Sequence, residues 1–332
     1  MAHFKDFTED AKRFLINLRA PYEQWVEAKR FIAPGRLQWK GPTEYPSLYR
    51  MFDGNGNGTS LGPRSPETEE LYATHQEYKA LAKSTWEDLL ERYRQYNAFR
   101  FPKMMDTGGE LLREMDVCGF LGSVQVVGTN ALHAYLMEAQ VYLVGDVTAT
   151  RDFDLSWTNK APDLIDNPRT PSTLFEVLKR VDGTYTINSE RPFQARNAKS
   201  DEVEMLIAPS LEGKIPPKEK FRSIPLEEQE WLLLGDPVEQ LLYDTNNKPL
   251  RIVAPDPRYF ALQKLWLADK PSRDPLKKDK DRTQGELVLH LVHLKMPHYP
   301  LNERFEHSLP EPLKPYFEQW KNTLSVPSKH KM

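Results

Sequence analysis

A single cysteine, Cys118, in 332 residues excludes a disulfide framework and any zinc or iron–sulfur centre built on several thiolates. No stretch of about 18 consecutive apolar residues occurs, so no segment reads as a membrane span. An excess of either charge is also missing: 45 basic against 48 acidic side chains leave −3 at neutral pH. That balance argues against a protein coated in basic residues for non-specific nucleic-acid binding, and says nothing of local patches. The opening residues, Met1-Ala2-His3-Phe4-Lys5-Asp6, lack the basic-then-apolar layout of a secretion signal, and a soluble, cytoplasmic protein is expected. Two further absences narrow the class. There is no G-x-x-x-x-G-K-[ST] phosphate loop, which removes the common NTPases, and no internal repeat.

What is present supports a substantial core. Hydrophobic residues make up 39 % of the chain, with 15 Phe, 14 Tyr and 7 Trp, too many for wholesale disorder. The length suggests two domains, or one large domain with additions, and 27 prolines punctuate long connections. The first 35 residues read as helical, with Phe14, Leu15, Leu18, Trp25 and Phe31 near helical spacing. From Leu37 to Pro63 the texture is that of a β-hairpin or a loop with strand character. Ser65-Pro66-Glu67-Thr68-Glu69 opens a helix, with a Ser cap, Pro in the first turn and acids at the positive end of the dipole. That helix runs to about Tyr96.

Beyond Gly109 helices and strands alternate. Glu110–Met115 is a short helix, Ser123–Val127 a strand, Ala131–Ala139 a helix and Arg151–Trp157 a strand. Thr184–Asn188 and Glu202–Ala208 are further strands. Val238–Tyr243 and Leu250–Val253 flank Asp244-Thr245-Asn246-Asn247-Lys248 as a hairpin, and Tyr259–Ala268 and Gln284–Leu294 are helices. The tail Ser328-Lys329-His330-Lys331-Met332 carries no assigned role.

Several motif matches fail on chemistry. Asp53-x-Asn55-x-Asn57-Gly58 begins like a calcium loop, but its twelfth position is Arg64, a cation where the metal needs a bidentate Glu. Gly58-Thr59-Ser60-Leu61-Gly62 matches the nucleophile elbow G-x-S-x-G, yet an Asn/Gly turn precedes it and Pro63-Arg64 follows, instead of strand and helix. His290 and His293 share a helical face without a third ligand, which favours solvated or satisfied histidines over a metal site. Asp279-Lys280-Asp281 reads as solvated charge in a loop.

One constellation stands apart. Val126-Val127-Gly128-Thr129-Asn130 ends a strand in a turn before a helix. Thr150-Arg151-Asp152-Phe153-Asp154-Leu155 follows on the next. Side chains alternate along a strand, so Asp152 and Asp154 project from one face while Phe153, Leu155 and Trp157 pack on the other. Two adjacent carboxylates repel unless a cation lies between them, and hard Mg²⁺ takes oxygen ligands while keeping phosphate oxygens as partners. A Gly-Thr turn at a helix start offers backbone N–H groups and a hydroxyl to a phosphate.

Gly128-Thr129 with Asp152-x-Asp154 resembles the signature of the DNA polymerase beta-like nucleotidyltransferase superfamily. The local wording is similar to a bacterial nucleotidyltransferase-fold family without assigned function and to the abortive-infection toxin nucleotidyltransferases. The resemblance continues through Pro255-Asp256-Pro257-Arg258-Tyr259-Phe260-Ala261-Leu262-Gln263-Lys264-Leu265-Trp266-Leu267, Arg273-Asp274-Pro275-Leu276-Lys277-Lys278 and Asp281-Arg282-Thr283-Gln284, and covers residues 110–295, with the hairpin around Leu48–Pro63 matched loosely. It implies an α+β fold: a mixed-sheet nucleotidyltransferase core over residues 110–225. Residues 1–109 would form a helical region with a β-hairpin near 39–63, and residues 226–332 a C-terminal hairpin and helices. The implied activity is two-metal transfer of a nucleoside monophosphate from an NTP to an acceptor hydroxyl on RNA, protein or a small molecule, a toxin role included, with Mg²⁺ or Mn²⁺ as cofactor. Asp152 and Asp154 would hold the metals with Glu204 as third carboxylate. The family pattern prefers Asp at that position, and a register shift of two would put Glu202 there instead. The departure opens an alternative, a degenerate nucleotide- or RNA-binding module of the same fold. Gly128, Thr129 and Asn130 would meet the β- and γ-phosphates, and Lys264, Arg273 and Lys277 would balance the triphosphate charge. Lys264 could equally snorkel from its helix, Arg151 could neutralise its acidic neighbours, and Tyr259, Phe260 and Trp266 read as core before they read as a base-stacking platform. Lys264–Arg282 holds seven basic and four acidic residues, a local excess of positive charge hidden in the near-neutral total.

Overall fold

The computed structural model describes residues 4–52, 55–143, 152–165 and 170–325. Thr150 and Arg151, Asp53 of the calcium-loop match and the C-terminal tail lie outside the described residues. The chain opens on a short strand, β1 (Phe4–Asp6), where helical spacing was expected. β1 pairs antiparallel with β7 (Val141–Leu143), and the Phe7 N–H donates to the Gln140 carbonyl. A three-residue strand buries too little of its own to show a period, so only its distant partner defines it.

α1 (Glu9–Ile32) starts where the Thr8 hydroxyl accepts from the Ala11 N–H, with Glu9 and Asp10 in the first turn and Lys29 and Arg30 in the last. Both charge sets suit the helix dipole. Ala11, Phe14, Leu18, Tyr22, Trp25 and Val26 form its buried stripe. Strands β2 (Arg36–Lys40), β3 (Ser47–Met51) and β4 (Gly58–Pro63) make an antiparallel sheet. The G-x-S-x-G residues are therefore strand, with no helix behind the serine to form a nucleophile elbow. α2 (Pro66–Ala98) begins in a reciprocal capping box between Ser65 and Thr68, as the Ser-Pro signal predicts. It lies along α1, with Trp25 on Trp86 (ring centroids 4.7 Å) and Phe31 on Tyr78 (4.2 Å).

β5 (Lys103–Met104) leads into α3 (Asp106–Cys118), which stops at left-handed Gly119. Cys118 is buried, and burial pushes its thiol up to about 12. The central sheet runs β6 (Val124–Val126), β8 (Asp152–Trp157), β11 (Glu202–Ile207), β10 (Gln194–Arg196) and β9 (Thr186–Ile187), with β12 (Ile224–Pro225) pairing on β11. β8 and β11 are parallel and the β6–β8 and β10–β11 pairs antiparallel, so the sheet is mixed. α4 (Leu132–Glu138) continues a 3₁₀ turn over Gly128–Ala131, and α5 (Leu174–Val181) carries a Thr173–Glu176 capping box. Phe153, Leu155, Val203, Met205 and Ile207 on one face of β8 and β11 join a continuous apolar core. Gly108 of α3 lies so close to the Phe153 ring that a Cβ there would sit 2.7 Å from it.

β13 (Val238–Asp244) and β14 (Pro249–Ala254) form the expected hairpin, with β5 alongside β13. α6 (Pro257–Asp269), α7 (Pro275–Lys295), α8 (Glu303–Ser308) and α9 (Lys314–Ser325) close the chain. α7 starts about nine residues earlier than its apolar spacing suggests, because the Asp274 carboxylate caps it through the Leu276 N–H and Pro275 supplies the first turn. Asp279-Lys280-Asp281 is therefore helical and not a loop. Asp281 is 2 % exposed, which corrects the solvated reading. His290 Nδ1 donates to the Glu286 carbonyl one turn back at 2.9 Å, and both His290 and His293 stand edge-on to Trp320. No helix among the described residues is long and apolar enough to cross a membrane.

His133 on α4 is 6 % exposed, and its Nδ1 has no hydrogen-bond partner. Burial holds its pKa down at about 4 against 6.5 for an ordinary imidazole. A depressed value means the folded state rejects the proton that the unfolded state takes, so the contribution is complete above pH 6.5 and is lost as pH falls toward 4. The free energy of unfolding of the parent, measured against His133→Leu, is expected to narrow by roughly 2–3 kcal/mol between pH 7 and pH 4. A pH-independent difference would show that the imidazole is not held neutral.

Candidate active site

The parallel register sets Asp152 opposite Glu202 and Asp154 opposite Glu204. Paired residues of adjacent strands point the same way, so four carboxylates share the face of the sheet turned away from Phe153 and Val203. Glu204 stands level with Asp154, and Glu202, two residues earlier, stands level with Asp152. The Gln194 side-chain N–H donates to Glu204 Oε1 from the neighbouring strand β10. Asp154 is half-buried and Asp152 exposed. Burial first, then the nearby Glu204 charge, raises the Asp154 carboxyl to about 6 against 3.8, while Lys264 and Lys277 pull it the other way.

The Gly-Thr turn is built onto this face. Gly128 takes φ +64°, and a Cβ there would lie 2.1 Å from Asp154 Oδ2; only glycine fits on both counts. The Val127 N–H donates to the Asp154 carbonyl at 3.0 Å. Asn130 donates its amide to the Asp152 carbonyl at 2.9 Å, so it fastens the turn to the strand that bears the acids. Thr129 accepts at its hydroxyl from Gln284 Nε2 of α7 at 3.2 Å, which leaves the hydroxyl proton for another acceptor.

The cations come from α6 and α7. Lys264 is 5 % exposed, and its Nζ lies 2.8 Å from Asp281 Oδ1. Arg273 meets the other oxygen of the same carboxylate at 2.7 Å. Burial lowers the Lys264 pKa, opposed by the Asp281 charge and, more weakly, by Asp154. Lys264 is thus more than a snorkelling side chain: it is a buried cation in the field of the acid face. Lys277 is exposed on α7, and its charge reaches Asp154. Tyr259 and Phe260 are core residues, and Trp266 stands edge-on to Trp231 at 5.0 Å.

Three participants escaped the sequence pattern: Asp281, Gln284 and Gln194. The first two are polar residues one helical turn apart, on the same helix face as the apolar Val288 and Leu291, and a buried polar pair in an apolar stripe was the available signal. Gln194 sits on a three-residue strand with no such mark.

The donor set suits a hard divalent cation, being all carboxylate oxygen, and Asp154 is ionised at a cost that positive charge would relieve. Among the described residues no three His, Cys, Asp or Glu side chains already converge on one point, so Asp152, Asp154 and Glu204 share a face and a register and not a closed cage. No curated protein and no solved structure matches the chain. A family model described as nucleotidyltransferase does match, over residues 106–309, a span that takes in the Gly-Thr turn, β8, β11, α6 and α7. By this match over more than half its length, the chain belongs to the nucleotidyltransferase family.

Proposed function

We propose that the acid face transfers a nucleoside monophosphate from an NTP to an acceptor hydroxyl in a reaction that depends on Mg²⁺ or Mn²⁺. The observation that carries this reading is the register of β8 on β11, which sets Asp154 against Glu204 with Gly128 packed on the Asp154 carboxylate. Asp152, Asp154 and Glu204 would hold the metal, which supplies Lewis-acid charge to the phosphoryl oxygens. The backbone of Gly128 and the Thr129 hydroxyl face the β- and γ-phosphates, the hydroxyl oriented by Gln284. Lys264 and Lys277 offset the triphosphate charge from the other side, and Arg273 acts on Lys264 through their shared carboxylate, Asp281. The acceptor hydroxyl gives its proton to a carboxylate of the acid face, its oxygen bonds to the α-phosphorus, the bond from that phosphorus to the bridging oxygen breaks, and pyrophosphate leaves. RNA, a protein hydroxyl and a small molecule all satisfy this chemistry, and a toxin is the case in which the acceptor is essential to the cell.

The test is incubation with each labelled NTP, Mg²⁺ or Mn²⁺, and total RNA or protein. Metal-dependent label transfer that disappears in Asp152→Ala and Asp154→Ala is the expected result. Equal labelling by parent and variants would overturn the assignment of the site. A second reading rests on Glu204, whose Oε1 is held by Gln194: a module that binds nucleotide without turning it over. Metal-dependent NTP binding by calorimetry, with no transfer over long incubation, is the outcome that selects it.

A further inference from the structure

α1 and α2 enclose an open cleft of about 460 Å³, closed at one side by α3 and reached by Lys248 from the β13–β14 turn. Trp25, Lys29 and Ile32 follow each other at four and three residues, so they share one face of α1. Lys79, Lys83 and Trp86 do the same on α2. Each stripe spans eight residues, about 10 Å from first to last along its helix. The two indoles stack at 4.7 Å and 29°, with Trp25 buried and Trp86 partly open to the cleft.

The charges around this cleft do not cancel. Lys83 pairs with Glu87, Glu114 with Arg180 of α5, and Arg113 with the buried Asp244. Lys29, Lys79 and Lys248 make no ion pair among the described residues, and the acid left facing them is Glu110. A chain of net −3 therefore keeps three ammonium groups without an ion pair around a tryptophan pair, with Glu110 as the one unpaired acid among the cleft's lining residues. Unpaired lysines along an elongated groove suit a repeating anion, and an indole exposed among them suits a base. A carboxylate-rich peptide would satisfy the lysines and offer the open part of Trp86 no ring to stack on.

We infer that this cleft binds single-stranded nucleic acid, with Lys29, Lys79 and Lys248 on successive phosphates and Trp86 against a base. The inference is independent of the acid face, since binding here needs no transfer.

The probe is a fluorescein-labelled 15-residue oligouridylate, followed by anisotropy against the full chain over a salt series. The parent is expected to bind at 50 mM salt. The triple variant Lys29→Gln, Lys79→Gln, Lys248→Gln replaces one exposed and two partly exposed ammonium groups and is expected to melt within a few degrees of the parent, the difference being the lost charge at the end of α1. Its slope of log affinity against log salt should be shallower by about 2, at about 0.7 per phosphate contact on a single strand. Trp86→Leu is expected to weaken binding about tenfold with the slope unchanged. An unchanged slope in the triple variant, or no binding by the parent, overturns the inference. So does competition by polyglutamate at equal charge concentration, which would identify an acidic protein as the ligand, or by inorganic triphosphate, which would identify a mononucleotide site.

Discussion

Asp154→Asn is expected to lose transfer activity by about 10³-fold or more and to make the metal-free protein harder to unfold. In the proposed metal-dependent reaction, the loss follows from removing an anionic oxygen that would hold the cation, because Lewis-acid stabilisation of a phosphoryl transition state is worth several kcal/mol and each 1.36 kcal/mol is tenfold in rate. The gain follows from the same carboxylate. Its pKa is raised to about 6 by burial and by Glu204, so ionising it at neutral pH costs folding energy. A raised carboxyl favours the fold below the unfolded value of 3.8, and that advantage is lost as pH rises through 6. With allowance for the water that still reaches this half-buried group, the isosteric amide should recover about 1–2 kcal/mol at pH 7.5 and nothing at pH 4. Addition of Mg²⁺ should then reverse the order, raising the parent's melting temperature and leaving the variant's where it was, since a ligand stabilises only the state that binds it. Thermal unfolding with and without Mg²⁺, at both pH values, checks all three statements. A variant that melts below the metal-free parent at pH 7.5 would mean that the charge is already compensated.

The second large effect lies in stability. Asp281→Ala is expected to destabilise the fold by about 3–5 kcal/mol, the cost of leaving a buried charge without its partner. Two cations depend on this carboxylate, Lys264 at 2.8 Å and Arg273 at 2.7 Å. Lys264 has nowhere to go, being 5 % exposed on α6 with Gly285 of α7 packed so near that a Cβ there would lie 2.8 Å from the Ala261 carbonyl. Removing the charges on both helices should be far milder: the double variant Lys264→Met, Asp281→Leu is expected within about 1–2 kcal/mol of the parent, because apolar groups of similar volume often replace a buried ion pair without loss. Urea unfolding of both variants decides it. If the single and double variants unfold alike, the ion pair is not what holds α6 against α7.

The acid face was readable because its chemistry is periodic. Asp152 and Asp154 announce themselves by strand alternation, and the Gly-Thr turn by a residue type that its backbone and the adjacent carboxylate both require. The parallel neighbour β11 could be placed from its alternating Val203, Met205 and Ile207, but its register could not, since either Glu202 or Glu204 satisfies the same alternation. Only the pairing across to β8 separates them. Helix α2 was visible in Ser65-Pro66, while the start of α7 was hidden, because its first two turns present mostly charge and its core face begins at Asp281. There the sequence pattern fails for a physical reason: a buried ion pair looks like surface until its partner, seventeen residues away on another helix, is known. β1 and β10 are too short to carry a period at all.

The lone thiol has a practical consequence. Cys118 is enclosed at the end of α3 with its pKa pushed up to about 12, so at neutral pH almost none of it is the thiolate that reacts with maleimides or oxidants. A cysteine introduced on the surface is then the one site that labels, with no need to remove the native residue. Spin labels or fluorophores can be set on α2 and α7 in the otherwise unaltered chain, and distances between the lysine cleft and the acid face can be followed as nucleotide and metal are added.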